Sequence, residues 1–140
     1  MLSSRRQDTA MAPPLPAASV LDLAPVVPVV VVEDAGDAVP LARALVAGGL
    51  PAIEVTLRTP AAVEAIREIA GQVPEAVVGA GTVISPAQVT EAVAAGARFL
   101  VSPGWTDVLL EAMRGSGVPF LPGCRPRPRS WRCWSAGCGR

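Results

Sequence analysis

The apolar positions of the chain form two patterns, which alternate from about Pro25 onward. Five short runs rich in Val, Ile and Phe start at intervals of 20 to 26 residues, at positions 26–32, 52–56, 76–80, 98–102 and 118–122. Between them lie Ala-rich segments whose apolar residues are three or four positions apart, the spacing of an amphipathic helix. The pattern therefore predicts five buried strands alternating with four helices.

Turn and capping residues support these helices. Three of the predicted helices end in turns that contain glycine, which favours helix termination because glycine adopts positive φ readily. Thr59 and Ser85 are each followed by a proline, and a capping side chain before proline predicts a helix start. Thr106, followed by Asp107, predicts the start of the fourth helix.

Strands that are apolar throughout and alternate with helices indicate an α/β protein with a parallel sheet buried on both faces. The short repeat favours a compact (β/α)8 barrel, so the chain is expected to form a partial TIM barrel of about five strands and four helices. A flavodoxin-like open sheet is the structural alternative, since five strands and four helices could complete one. A dinucleotide-binding fold is less favoured, because residues 79–82 (GAGT) lack the third glycine of its fingerprint.

The chain divides into three predicted parts. Residues 1–22 are expected to be a flexible extension with the possible start of a first helix, and Met11 is an alternative start. Residues 23–123 are expected to form the N-terminal half of the barrel. Residues 124–140 are expected to be an irregular tail.

Composition sets this tail apart from the rest of the chain. It holds all three Cys, two of the three Trp and five of the twelve basic residues, all of which are Arg. One hypothesis is a nucleic-acid-binding tail that uses phosphate contacts and base stacking. The favoured hypothesis is a frameshift in the gene, because restoring one base in a GC-rich back-translation yields a capped amphipathic helix.

Overall charge and missing residue types exclude several function classes. The net charge is zero, so no global field attracts nucleic acid or anionic membrane. The chain has no His, which excludes Ser-His and Cys-His nucleophile systems and most zinc sites. The longest apolar run, residues 26–32, is far shorter than the ~20 residues of a spanning helix. With no Cys before position 124, the sequence predicts a cytoplasmic protein.

Candidate chemistry lies where the second predicted strand ends. Alternation along the strand places Glu54, Thr56 and Arg58 on one side, and Ile53 and Val55 on the other. A carboxylate on a buried strand costs several kcal/mol unless it is paired or hydrogen-bonded. One interpretation is an internal ion pair of Glu54 with Arg58. The other is a general acid/base beside a cation that holds an anionic substrate.

The next strands end in similar polar or glycine-rich segments. Residues 79–82 place two glycines where a backbone could approach a ligand, and Thr82 offers a hydroxyl and an N–H. A plain turn between strand and helix is the alternative. Pro103 follows the fourth strand and Gly123 the fifth. Active sites of βα barrels lie at the carboxyl ends of the strands, so we expect these segments to meet at one end.

These motifs occur in a familiar order. PVVPVVVV, IEVTLRT, VGAGTV, SPG and PFLPG follow one another as they do in the 2-keto-3-deoxy-6-phosphogluconate (KDPG) and 4-hydroxy-2-oxoglutarate (KHG) aldolase family, which residues 23–123 resemble. The resemblance implies a (β/α)8 fold, a homotrimer, and neither metal nor cofactor. It also implies a class I Schiff-base aldolase, a carbon–carbon lyase. Such an enzyme cleaves 2-dehydro-3-deoxy-6-phosphogluconate to pyruvate and glyceraldehyde 3-phosphate, and 4-hydroxy-2-oxoglutarate to pyruvate and glyoxylate.

The resemblance also implies residue roles. Glu54 matches the family's general acid/base, which works through a water, and Arg58 matches the residue that binds the keto-acid carboxylate. Thr82 matches another substrate contact, and Pro103 a residue that lines the pyruvate pocket. The family's Schiff-base lysine lies on strand six, beyond the similarity, and this chain contains no lysine. We therefore expect no catalysis by this chain alone; a non-catalytic keto-acid-binding module is the alternative function.

Overall fold

The computed structural model describes Val20, Asp22, Leu23 and residues 25–123. The tail at 124–140 and the first 19 residues lie outside these described residues. The frameshift hypothesis, the nucleic-acid hypothesis and the predicted extension therefore remain predictions.

Five strands and four α-helices alternate along residues 25–123. The strands are β1 Val29–Val30, β2 Ala52–Thr56, β3 Val77–Gly81, β4 Leu100–Ser102 and β5 Phe120–Pro122. The helices are α1 Ala38–Ala47, α2 Ala62–Gln72, α3 Pro86–Ala94 and α4 Asp107–Gly115, and a 3-10 helix, Ala35–Asp37, precedes α1. The predicted number and order of elements are confirmed.

Two predicted helix starts are confirmed by their capping bonds. The side chain of Ser85 accepts a hydrogen bond from the N–H of Gln88 at 3.3 Å, with Pro86 in the first turn of α3. The side chain of Thr106 accepts one from the N–H of Leu109 at 3.2 Å. Each bond satisfies an amide that the helix itself leaves without a partner.

The start predicted at Thr59 is wrong. Helix α2 begins at Ala62, and its N-cap residue, Ala61, makes no side-chain cap. The hydroxyl of Thr59 instead donates to the carbonyl of Val32 at 2.5 Å, 27 residues away in sequence. A long-range bond that ties the β2 loop to the segment after β1 replaces the local cap.

The sheet is parallel, and each strand pairs with the next one along the chain, in the order β1-β2-β3-β4-β5. A flavodoxin-like sheet has the order 2-1-3-4-5 and carries helices on both faces. Here residues from α1 to α4 join one core cluster with residues of the sheet. The flavodoxin-like alternative is therefore wrong, since sequential order with helices on one face is the arrangement of a βα-barrel wall.

The two faces of the sheet bury different residues. Against the helices the strands pack a row of aliphatic side chains: Ile53, Val55, Val78, Ala80 and Leu100. The opposite face is called the inner face, and it carries Glu54, Gly79, Gly81, Phe99 and Val101. On it Val77 and Phe99 form a second cluster with Val20, whose side chain is 1% exposed although it lies in the predicted extension.

The sheet has two edges among the described residues, β1 and β5, each with one neighbouring strand. Strand β1 is only two residues long although its apolar run has seven. Pro28 lies within that run and cannot donate to a ladder, while its carbonyl accepts from the N–H of Glu54 at 2.9 Å. Beside this edge, Val29 is 61% exposed.

None of the helices in the described part of the chain is long and apolar enough to cross a membrane.

Candidate active site

Glu54 lies in the middle of β2 and points to the inner face. Its neighbours Ile53 and Val55 are fully buried on the helix side, so alternation turns Glu54 the other way. In the sheet register it lies between Val29 of β1 and Gly79 of β3. The predicted orientation of Glu54 is thus confirmed.

The carboxyl group of Glu54 extends over the backbone of β3 at Gly81. A Cβ atom built on Gly81 would lie only 2.6 Å from the Cδ atom of Glu54 and 2.7 Å from its Cγ atom. Real Cβ atoms essentially never approach another heavy atom this closely, so the carboxyl group fills the space that a side chain at Gly81 would need.

Burial raises the pKa of Glu54, because desolvation penalises the ionised form, and the positive charge of Arg58 opposes this by a smaller amount. Within the described residues, Glu54 and Arg58 are not joined by an ion pair, and the Glu54 carboxyl has no hydrogen-bond partner. The internal ion pair considered from the sequence is therefore not present. The arrangement instead gives a carboxyl group that takes up and releases a proton closer to neutral pH than usual.

Arg58 lies in the turn after β2 and is exposed. The N–H of Arg58 donates to the carbonyl of Thr56 at 2.8 Å, and the hydroxyl of Thr56 donates to the carbonyl of Val30 at 3.2 Å. The side chain of Arg58 has no hydrogen bond to a described residue. The backbone of this turn is fixed, while the guanidinium group remains available to an anion.

Thr82 follows β3 with a φ of 59°, the one non-glycine residue with positive φ in the described chain. For a β-branched residue this left-handed conformation is a genuine outlier. Hydrogen bonds from Leu57 N–H to Gly81 O, 2.8 Å, and from Val83 N–H to Val101 O, 3.1 Å, hold both sides of it. The N–H and hydroxyl of Thr82 bond to no described residue, so both are open to a ligand.

Pro103 follows β4 and is exposed, next to the loop after β5. The N–H of Gly123 donates to the carbonyl of Ser102 at 2.6 Å, and a Cβ on Gly123 would lie 2.6 Å from the carbonyl oxygen of Pro103. The hydroxyl of Ser102 in turn donates to the carbonyl of Gly104. Glycine at position 123 therefore permits the close approach of these two loops.

These segments share one edge of the sheet, because parallel strands end on the same side. We call this edge the C-terminal rim and define it as residues 57–59, 82–83, 103–104 and 123. Of the four residues singled out from the sequence, Arg58, Thr82 and Pro103 lie in this rim. Glu54 lies within β2, three residues before the rim begins. The hydrogen bonds described above join rim segments to the ends of neighbouring strands: Leu57 donates to Gly81, Val83 to Val101 and Gly123 to Ser102.

A cavity of about 450 Å³ lies away from this rim, between the 3-10 helix, α1 and α2. Its acidic residues already have partners, since Glu64 pairs with Arg67 and Glu68 accepts from Gln72. No group of His, Cys, Asp or Glu among the described residues could hold a metal ion. The cavity is therefore a groove between helices, separate from the candidate site.

Sequence reasoning overlooked two contributors to the site, the space at Gly81 and the ring of Phe99. The ring lies over Gly79, where a Cβ would overlap it. A usable signal was present, since two glycines alternate on β3 directly beside Glu54. The positive φ of Thr82 had no such signal, because threonine rarely adopts it.

Comparison with known proteins connects this geometry to a family. A family model described as KDPG and KHG aldolase matches residues 17–128, most of the chain. The chain belongs to the KDPG and KHG aldolase family. A KHG/KDPG aldolase of Escherichia coli (strain K12) is 56% identical over 107 residues, which are 76% of this chain and 50% of that protein. A 2-dehydro-3-deoxy-phosphogluconate aldolase of Dickeya dadantii is 54% identical with the same coverage.

Solved structures of this family superpose on the described fold. The KDPG aldolase of Zymomonas mobilis ZM4 with 3-phosphoglycerate matches with a TM-score of 0.79 and 47% identity, over 86% of this chain and 57% of that one. The KDPG aldolase of Legionella pneumophila, with pyruvate captured as a covalent carbinolamine, gives 0.81 and 43%, over 88% and 60%. The predicted fold class is thus confirmed as part of a (β/α)8 barrel, and the chain spans about half the length of the curated relatives it matches.

Proposed function

We propose that this chain carries the keto-acid half of an aldolase site of the KDPG/KHG type. Glu54 acts as general acid/base through a water, and Arg58 binds the substrate carboxylate. Thr82 makes a further substrate contact, and Pro103 lines the pyruvate pocket. The carbon–carbon bond cleaved is that of 2-dehydro-3-deoxy-6-phosphogluconate or 4-hydroxy-2-oxoglutarate, with pyruvate as the common product.

The observation that carries this proposal is the unpaired, half-buried carboxyl group of Glu54 beside an unpaired exposed cation. Burial raises the pKa of Glu54, because desolvation favours the protonated form of the carboxyl group. A general acid/base needs a pKa raised toward neutral pH. The planar guanidinium of Arg58 suits a carboxylate, which it can bind through two parallel N–H groups.

The chemistry requires proton transfer at three points. When an amine adds to the keto carbon, the resulting carbinolamine hydroxyl must take a proton to leave as water, and protonated Glu54 can supply it through a bridging water. Carbon–carbon cleavage then requires the C4 hydroxyl to lose its proton, which the Glu54 carboxylate can accept, and the carboxyl group can deliver that proton to the enamine carbon. One residue that changes protonation state between steps meets all three needs.

The amine is the missing component. Nucleophilic catalysis of this kind uses a lysine that forms a Schiff base with the carbonyl, and this chain contains no lysine. We expect the chain to bind a keto acid without cleaving a substrate. A chain that contributes the lysine and the phosphate site of strands six to eight would be needed for turnover.

Calorimetry with pyruvate tests the binding half of this proposal. Arg58→Gln should abolish the heat of binding because the carboxylate loses its cation. Arg43→Gln is the matched control, since Arg43 is also exposed but lies on α1 among the helices, away from the rim. Undetectable pyruvate binding by the unaltered chain, or an equal loss in both variants, would overturn the keto-acid site.

Borohydride reduction with pyruvate tests the catalytic half. The Legionella aldolase, which has been captured as a carbinolamine with pyruvate, serves as the positive control and should gain mass covalently. The present chain should gain none. Covalent trapping by this chain, or cleavage of a phosphorylated keto acid, would refute the proposed inactivity.

Assembly and location follow from the family resemblance. We expect the intact enzyme to be a homotrimer that acts in the cytoplasm. Light scattering of a purified full-length relative, and fractionation of cells that express the chain, would test these two points.

A further inference from the structure

We propose that Gly81 is a positioning residue for Glu54. The missing side chain at Gly81 leaves the inner-face space in which the Glu54 carboxyl lies, and the ring of Phe99 closes the corresponding space at Gly79. The acid/base meaning of this arrangement rests on the proposed function, whereas the arrangement itself rests on contacts alone.

The first step in the argument is the row of residues across the sheet. Glu54 on β2 is in register with Gly79 on β3, and Thr56 is in register with Gly81. Both glycines face the inner side, so β3 presents bare backbone at two successive positions beside the Glu54 side chain. An extended glutamate could lie over either of them.

The second step is that one of these spaces is already filled. Three ring atoms of Phe99 occupy the volume where a Cβ of Gly79 would be. Phe99 is fully buried, in a cluster with Val20 and Val77, so the ring cannot move aside easily. The carboxyl group of Glu54 is thereby directed to Gly81, toward the C-terminal rim and Thr82.

The third step concerns where the carboxyl group would go without this space. The side toward Gly79 is closed by Phe99, and the side toward β1 is bordered by Val29, which is largely exposed. A methyl group at position 81 would therefore push the carboxyl group toward solvent. Desolvation is the largest cause of its raised pKa, so that pKa should fall back toward the usual range.

Gly81→Ala tests the proposal directly. The pKa of Glu54 is measured by carbon-13 NMR titration of its side-chain carboxyl, and most of its elevation should disappear in this variant. Gly71→Ala is the matched control, because Gly71 lies in α2 and a Cβ there would meet nothing within 4 Å. An unchanged Glu54 pKa in a folded Gly81→Ala variant would overturn the proposal.

A double-mutant cycle keeps the test decisive if Gly81→Ala folds poorly. The three atoms nearest to a Cβ at position 81 all belong to Glu54. Gly81→Ala should therefore lower the melting temperature of the unaltered chain much more than that of the Glu54→Ala variant. An equal drop in melting temperature in the two backgrounds would mean that the methyl group clashes with a residue other than Glu54, and this result would refute the positioning role of Gly81.

These outcomes separate the two proposals. If pyruvate fails to bind while Gly81→Ala lowers the Glu54 pKa, the keto-acid function is wrong and the positioning holds. If pyruvate binds in an Arg58-dependent way while Gly81→Ala leaves the Glu54 pKa unchanged, the function stands and the role of Gly81 is refuted.

Discussion

Replacing Thr82 by glycine should stabilise the fold while weakening the site. Thr82 has a φ of 59°, in a region where a β-branched side chain crowds the backbone. Glycine has no Cβ and adopts this conformation at no steric cost. The natural residue therefore carries a strain that the fold does not need, since glycine already occupies the other positive-φ positions, 49, 96 and 117.

Two opposing terms set the size of the effect. Relief of a left-handed conformation is worth about 1–2 kcal/mol for a non-glycine residue. The greater freedom of glycine in the unfolded chain costs roughly 0.5–1 kcal/mol. The net gain is then roughly 0–1.5 kcal/mol, and its midpoint of about 0.75 kcal/mol corresponds to a rise in melting temperature of about 3–6 °C for a domain of this size.

The assay combines thermal unfolding with pyruvate calorimetry on two variants. Thr82→Gly relieves the strain and removes the hydroxyl, whereas Thr82→Val removes the hydroxyl but keeps the branched Cβ. Thr82→Val should leave stability within about 0.5 kcal/mol, because the hydroxyl bonds to no described residue. Both variants should bind pyruvate more weakly than the unaltered chain.

A drop in melting temperature for Thr82→Gly, with no drop for Thr82→Val, would refute the reasoning about strain. Unchanged pyruvate affinity in both variants would instead refute the role of the Thr82 hydroxyl as a substrate contact.

Three further predictions follow from other parts of the structure. The raised pKa of Glu54 means that the folded state holds the carboxyl proton more tightly than the unfolded state, so the free energy of unfolding falls as pH rises from the usual carboxyl range through the raised pKa. Glu54→Gln should remove that decline and be more stable than the unaltered chain in urea unfolding at pH 7. A less stable Glu54→Gln variant would contradict this reasoning. Gly79→Ala should destabilise the fold by about 1–3 kcal/mol, because its methyl group would overlap the buried ring of Phe99, and a neutral result in thermal unfolding would show that the ring can move. Ser85→Ala should cost about 1 kcal/mol through loss of the bond to Gln88 N–H, measurable by the same method, and no loss would mean that this cap contributes nothing.

Sequence patterns predicted the elements that depend on local chemistry. The apolar run at 52–56 became β2 with the same bounds, and Ser85 and Thr106 capped the helices that follow them. The short repeat and the family resemblance favoured the barrel over the flavodoxin-like sheet. Strand order confirms the barrel, and this order depends on contacts between residues far apart in the chain.

The wrong and missing predictions have the same physical origin. Thr59 had the features of a cap, but a carbonyl 27 residues away competes for its hydroxyl. The space beside Gly81 is visible only once β2 and β3 are in register, because it is defined by a neighbouring strand rather than by adjacent residues. Local sequence propensity predicts the backbone conformation of a residue, whereas the contacts of a site depend on residues that are distant in sequence.

Three hydrogen bonds join segments of the C-terminal rim to the ends of neighbouring strands, and each runs from a main-chain amide, that of Leu57, Val83 or Gly123, to a main-chain carbonyl. Any amino acid except proline can supply such an amide. The side chains of Arg58 and Pro103 therefore do not contribute to these bonds. Substitutions at these two positions should change which ligand binds and should leave the fold unchanged. Substitutions in this chain should then be of two kinds. Those that change ligand preference should be concentrated at the rim, and those that abolish folding should be concentrated in the packed core below the rim.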